Sequence, residues 1–204
     1  MTRIMGDSTL YLNIPASVQV AATYANGLYA AAEADVAKRF PRTRYGWARI
    51  DVLGNMPDKA DVRDWETGDK GGSLEQWVKD HNAHAGKKDA KVYCNMSTIP
   101  EVRQLTGSQI LGKDYWLWIA TLDGRIVAPG PVHLDSPPYT YPGTAACQVK
   151  GASLTGGDWD ESLVYDASFW QPLPPPKPPV PPVTREQYTA ALAVLLRAGA
   201  ELPA

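Results

Sequence analysis

A contracted (β/α) barrel is the fold this sequence predicts. Three observations carry it: short apolar runs alternate with helical patterns through residues 1–171, acidic residues stand at the ends of several of those runs, and a proline-dense boundary closes the domain near Gln171. Alternation of this kind reads as a wound α/β domain with a parallel sheet. Up to eight or nine strand candidates suit a closed barrel better than an open doubly wound sheet. A barrel of this type typically needs about 250 residues, so some of its helices are expected to be missing or replaced by loops.

The elements follow in order. RIMGD (3–7) is the first strand candidate, and ASVQVAATYANGLYAAAEADVAKRF (16–40) carries a helical pattern. YGWARIDVLG (45–54) and ADVRDWE (60–66) are strand candidates, followed by a helix at SLEQWVKDHNAHAG (73–86). AKVYCN (90–95), a helix at IPEVRQLTG (99–107) and the strand YWLWIATL (115–122) continue the pattern. Further strands are expected at RIVA (125–128), AACQV (145–149) and SLVYD (162–166).

Proline then changes the regime. PLPPPKPPVPP (172–182) holds eight of the eighteen prolines and cannot form helix or sheet interior. Residues 172–183 are expected to form an extended spacer of about 3.1 Å per residue, with a ligand for a proline-binding domain as the other use of such a run. In residues 184–204, Thr184 can cap a helix, Glu186 and Gln187 fill its first turn, and Gly199 and Pro203 stop it. Tyr188, Leu192, Leu195 and Leu196 share one stripe. An isolated helix of this length is marginal in water, so the stripe is expected to dock on a partner, on another copy, or on the domain itself.

Composition excludes several function classes. Lys and Arg total 20 against 22 Asp and Glu, a net charge of -2 without a basic run, so nothing marks a nucleic-acid or anionic-membrane surface. The N-terminal residues lack the apolar core of a signal peptide, and no stretch approaches a span of about 20 apolar residues. The expectation is a soluble product of the cytoplasm that reaches its site of action by other means. Seven Trp and ten Tyr against two Phe make most rings ones with a polar handle, suited to sugar faces as well as to core edges. Cys94 and Cys147 lie in apolar runs and are expected as buried free thiols, one bridge between them remaining open.

The most informative local feature is Asp64-Trp65-Glu66. Residues i and i+2 of a strand point to one face with Cα atoms about 6.8 Å apart, so the two carboxylates face together. Trp65 points the opposite way, towards the helix layer, and Thr67-Gly68-Asp69 ends the strand as a loop. In a β/α barrel the C-terminal strand ends form the active-site mouth. Paired carboxylates there suit glycoside hydrolysis, in which one acid is held protonated while another stays ionised beneath an oxocarbenium-like transition state. Asp-x-Glu alone also fits a solvated strand end. Asp7 closes the first strand candidate and Asp160 opens the last, and agreement among three separate strand ends gives the pattern its force.

In this arrangement the chain resembles the glycoside hydrolase family 25 type of lysozyme, and more closely the small glycoside-hydrolase-like domains frequent in phages of actinobacteria. The resemblance spans most of residues 3–170: MGDST, the IP and ATYANGLYA segments, DWETGD, VYCNMSTIPEVR, YWLWIATLDG and ACQVKGASLTGGDWDES, in that order. It implies a TIM-like barrel with a groove at the acidic mouth and a muramidase-type activity on the glycan strands of peptidoglycan, without a cofactor. By the same resemblance Glu66 is the general acid, Asp64 supports the substrate's N-acetyl group or the developing cation, and Asp7 and Asp160 tune the pair. Tyr24, Tyr93, Asn95, Trp118 and Gln148 fall where that family lines its groove. Two positions depart from it: Gln148-Val149 stands where relatives often have Gln-Tyr, and Tyr24-Ala25-Asn26-Gly27 where near relatives have Tyr-x-Asp-Gly. A barrel that binds glycan without cleaving it, as a phage structural or tail-associated protein anchored through residues 184–204, is the alternative reading.

Other chemistries lack support. His81, His84 and Asp80 could clamp a metal, but a solvated helix face near its C-terminal end explains them, and no metal is expected. No glycine-rich phosphate loop and no Gly-x-Ser-x-Gly elbow occurs.

Overall fold

Eight strands close into a barrel in the computed structural model of the chain, which describes residues 3–66, 71–121, 127–128 and 139–165. These lie within one unit, Met1–Leu173. The expected loop at Thr67–Asp69, the spacer at 172–183 and the helix at 184–204 fall outside the described residues.

The wall is built from β1 (Arg3–Asp7), β2 (Val20–Tyr24), β3 (Gly46–Asp51), β4 (Val62–Asp64), β5 (Ala90–Asn95), β6 (Tyr115–Ala120), β9 (Thr144–Lys150) and β10 (Asp160–Val164), neighbours in that order, with β10 closing onto β1. Two short strands, β7 (Val127–Ala128) and β8 (Tyr139–Thr140), pair with each other outside the wall. The described part of the RIVA run, Val127–Ala128, is therefore not a wall strand but one side of this separate ribbon.

The expected all-parallel sheet is corrected to a mixed one. From β1 to β9 every wall pair is parallel, but β10 runs antiparallel to both β9 and β1. The reason lies in the connection. Only residues 151–159 separate β9 from β10, and a parallel crossover needs a dozen or more residues. The chain therefore turns at the end of β9 and descends, leaving Asp160 at the same end of the barrel as the C-termini of the parallel strands.

The helix expected across 16–40 is the second correction. It divides into β2 and a short α1 (Glu33–Arg39). Its alanine-rich start is buried on both sides: Val20 and Ala22 face the barrel interior, while Ala21 joins Val18, Val36, Phe40 and Trp47 in an outer layer. Burial on two faces overrides alanine's preference for helix, the strongest of any residue but small beside packing. The other helices are α2 (Leu74–Ala85), α3 (Ile99–Leu105) and a single turn, α4 (Ala152–Thr155). Ser73 caps α2 by accepting from the Gln76 amide at 3.2 Å. Trp77 and Val78 of α2 and Ile99 and Val102 of α3 bury their faces against the outward residues of β5 and β6, Val92, Cys94, Leu117 and Ile119.

Among the described residues no helix is long and apolar enough to cross a membrane. Cys94 and Cys147 are buried free thiols.

Candidate active site

Strand alternation decides what reaches the barrel mouth. On β5, Ala90, Val92 and Cys94 face outward under the helices, which turns Lys91, Tyr93 and Asn95 inward. Asp64, Tyr93 and Trp118 stand in register on three adjacent strands. Across the barrel, Asp7 of β1 pairs directly with Asp160 of β10. In the ring of eight strands β4 lies opposite β10, so the acids come from two opposed sides of one opening.

These carboxyls act on one another. Burial, followed by the charges of Asp160, Asp64 and Glu66, pushes the Asp7 carboxyl well above the ordinary carboxylate range. Its Oδ1 is buried without a hydrogen-bond partner among the described residues. Asp160 is also pushed up, chiefly by burial, against which the Ala152 amide and the Gln148 side chain donate to it. Like charges directly opposite in an antiparallel pair repel, so the mouth favours holding at least one proton within the group. The hydroxyls of Tyr24 and Tyr93 are pushed up by burial and then by the same acids, which places both rings beside the cluster.

The structure thus brings Asp7, Asp64, Glu66, Asp160, Tyr24, Tyr93 and Gln148 to one place. Its details modify several expectations. β4 ends at Asp64, and Glu66 lies in a half-buried bend beyond it, while the Trp65 amide still donates to the Tyr93 carbonyl at 2.9 Å. Trp65 packs outward with Leu74 and Trp77. Trp118 is 1% exposed, its ring edge-on to Tyr93 at 4.8 Å and its Nε1 donating to Ser162 Oγ at 3.0 Å. It is therefore a floor beneath the acids and offers no open ring face. Asn95 is half-buried, and its Oδ1 accepts from the Thr98 amide at 3.0 Å and the Ser97 hydroxyl at 2.7 Å, tying it to the turn before α3.

Two residues that sequence reasoning passed over hold the loops around this mouth. Asp51, at the end of β3, is fully buried and accepts from Asn26 Nδ2 (2.6 Å), Gly54 N (2.7 Å), Met56 N (2.8 Å) and Trp77 Nε1 (2.7 Å). Burial opposes its ionisation, but the hydrogen bonds from Asn26, Met56, Trp77 and Gly54 outweigh that and hold it below the ordinary range. Its signal was the Asp-x-x-Gly spacing of a strand-to-turn junction. Asn26 also accepts from the Val52 amide at 2.8 Å. The amide in place of the acid of near relatives has a local reason here, because it both donates to Asp51 and accepts from the next loop.

Arg63, fully buried on the outward face of β4, donates to the carbonyls of Asp51 (2.9 Å), Val52 (2.6 Å), Asp64 (2.5 Å) and Gly71 (2.8 Å). It fastens both the β3–β4 loop and the chain that returns after Glu66. Gly54 sits where they meet: its φ is +71°, and a Cβ there would lie 2.6 Å from the Gly71 carbonyl oxygen. No sequence signal marks Arg63.

The histidines of α2 are otherwise occupied. His81 is buried and not on a solvated face as expected; it stacks on Trp77 at 5.2 Å with Nδ1 at 3.0 Å from the Pro57 carbonyl and Nε2 at 3.1 Å from Asp89. His84 Nδ1 faces the Asp80 carbonyl at 2.7 Å. Among the described residues no group of three His, Cys, Asp or Glu side chains is placed to hold a metal ion.

No family model, curated protein or solved structure matches the chain.

Proposed function

We propose that the acidic mouth is the active centre of a muramidase-like cell-wall hydrolase of phage type that cleaves the glycan strands of peptidoglycan. The observation that carries this reading is the convergence of four carboxyl groups at or just beyond opposed strand ends, one of them, Asp7, pushed up first by burial and then by the charges of the other three. On the same reading the wall is a contracted (β/α) TIM-like barrel whose last strand is reversed and in which several helices, those after β1, β3 and β9, are reduced to loops or single turns.

Glu66 is the general acid. It gives its proton to the glycosidic oxygen as the bond from that oxygen to the anomeric carbon breaks. Asp64, anchored at the end of β4, faces the positive charge that develops on the sugar ring. A solvent water then adds to the anomeric carbon and returns a proton. Asp7 and Asp160 keep a proton within the cluster, and Tyr24 and Tyr93 flank the sugar above the Trp118 floor. Arg49, the cation that would silence Glu66 by pairing with it, is committed to Thr23 Oγ1 at 2.9 Å and the Ala31 carbonyl at 2.9 Å.

The test is release of reducing sugar from actinobacterial cell walls by wild type and Glu66→Gln. Loss of a general acid lowers turnover by about a thousandfold. Equal release by the two proteins removes Glu66 from the mechanism. Wall binding by wild type without any release makes the barrel a glycan-binding module.

A further inference from the structure

The peptide that joins Asp64 to Trp65 is held at both of its polar ends. Its carbonyl accepts from Arg63 Nη1 at 2.5 Å, and its N–H donates to the Tyr93 carbonyl at 2.9 Å. Glu66 follows one residue later. Trp65 adds no slack, because its ring lies 5.2 Å from the Arg63 guanidinium carbon and packs with Leu74 and Trp77. Past Glu66 the chain returns to the same guanidinium, where the Gly71 carbonyl accepts from Nη2 at 2.8 Å. One side chain therefore fixes the backbone both before and after Glu66.

The position is an unfavourable one for a cation. Arg63 stands level with Val92 of β5 and, one strand further, Leu117 of β6 in the outward layer under the helices, and all three are fully buried. Taking a guanidinium out of water opposes folding, so an apolar side chain is the occupant that stability alone would select for such a row. Arg49 and Lys91, the other buried cations among the described residues, bond elsewhere: Arg49 to Thr23 Oγ1 and the Ala31 carbonyl, Lys91 to the Asp89 carbonyl at 2.6 Å. Arg63 also donates to the carbonyls of Asp51 and Val52, so the β3–β4 loop and the chain around Glu66 share one anchor. The two segments meet without spare room, since a Cβ on Gly71 would lie 2.7 Å from the Leu53 carbonyl oxygen.

We infer that Arg63 is a positioning residue for Glu66, which sets where the acid's carboxyl stands in the mouth and ties that placement to the β3–β4 loop. This rests on the glycan reading of the mouth. Arg63 lies on the outward side of β4 and touches no substrate; it acts through the backbone that carries the acid. Its planar fork binds carbonyls that arrive from several directions, whereas the single ammonium of a lysine keeps the charge and loses that geometry. A small displacement of a general acid is enough to slow proton transfer strongly, because the acid works only within hydrogen-bond reach of the leaving oxygen.

The test measures release of reducing sugar from actinobacterial cell walls by full-length wild type and Arg63→Lys over rising wall concentration, per mole of folded protein. Turnover at saturation is expected to fall about a hundredfold while the half-saturating wall concentration stays unchanged. In parallel, the Glu66→Gln chain with and without Arg63→Lys is expected to bind a hexamer of N-acetylglucosamine with equal affinity, because the substitution moves the acid and not the sugar. If Arg63→Lys does not fold, Gly71→Ala replaces it: the guanidinium is kept, the return of the chain is displaced, and the same split between turnover and binding is expected. Full turnover in the folded variant, or a loss of turnover matched by an equal loss of hexamer affinity, overturns the positioning role and leaves the glycan reading standing. No release by wild type removes the acid itself, and the positioning role with it.

Discussion

Asp51 and Asp7 are both buried aspartates at the ends of parallel strands, β3 and β1, with β2 between them, and the barrel treats them in opposite ways. Asp51 is surrounded by N–H donors from two loops and a helix, and its carboxyl is held below the ordinary range. Asp7 has one oxygen without a partner and three other acids acting on it, and its carboxyl is driven above that range. Burial is common to both, so burial does not decide the outcome. What decides it is whether the neighbours were arranged to satisfy the charge or to crowd it. A carboxylate of the first kind builds the fold; one of the second kind is a group whose environment serves something other than stability.

The comparison breaks most visibly at Asp51. Asp51→Ala strands the Trp77 indole N–H, the Asn26 amide and several backbone amides, and is expected to cost about 3–5 kcal/mol of unfolding free energy in denaturant titration. A loss below about 1 kcal/mol would mean that water replaces the carboxylate freely. Asn26→Asp comes next: it removes the donor at 2.6 Å from Asp51 and sets a second carboxylate in its place, with an expected cost of about 2 kcal/mol. Asp7→Asn carries the opposite sign. Replacing a crowded, buried acid by its neutral isostere is expected to raise stability by about 1 kcal/mol at neutral pH while lowering glycan cleavage. A destabilised Asp7→Asn protein would place Asp7 with Asp51 among the structural acids.

The two acids also pull the pH dependence in opposite directions. Asp51, whose folded value is depressed, contributes stability that is present above its unfolded value of about 3.9 and is lost as pH falls through the folded one. Asp7, whose folded value is raised, costs stability while ionised, and that cost disappears as pH falls through the raised value. Wild type is therefore expected to gain slightly in melting temperature on mild acidification and to lose it steeply below about pH 4. Asp7→Asn should reduce the first change and leave the second.

Much of this was legible in the chain. Asp7, Asp64, Glu66 and Asp160 stand at the ends of recognisable apolar runs, and the two-residue period predicts which neighbours share their face. Trp65 was placed outward on the same ground, and it packs there. The start of β2 was not legible, because alanine favours helix and the segment became a strand only when both its faces were covered. The reversal of β10 was, in principle, open to arithmetic, since the connection from β9 is too short for a crossover. Arg63 had no such signal: its four carbonyl partners come from loops that meet only in the folded chain.

By itself, then, the sequence determined most of the wall strands, the acids at or just beyond their ends and the outward side that Trp65 takes, because these depend on residues two to four positions apart. Only the tertiary structure decided that Asp160 faces Asp7, that Trp118 lies under the mouth and not in it, and that Asp51 is satisfied while Asp7 is crowded. Those outcomes depend on contacts between segments distant along the chain, whose geometry follows from closing eight strands into one ring.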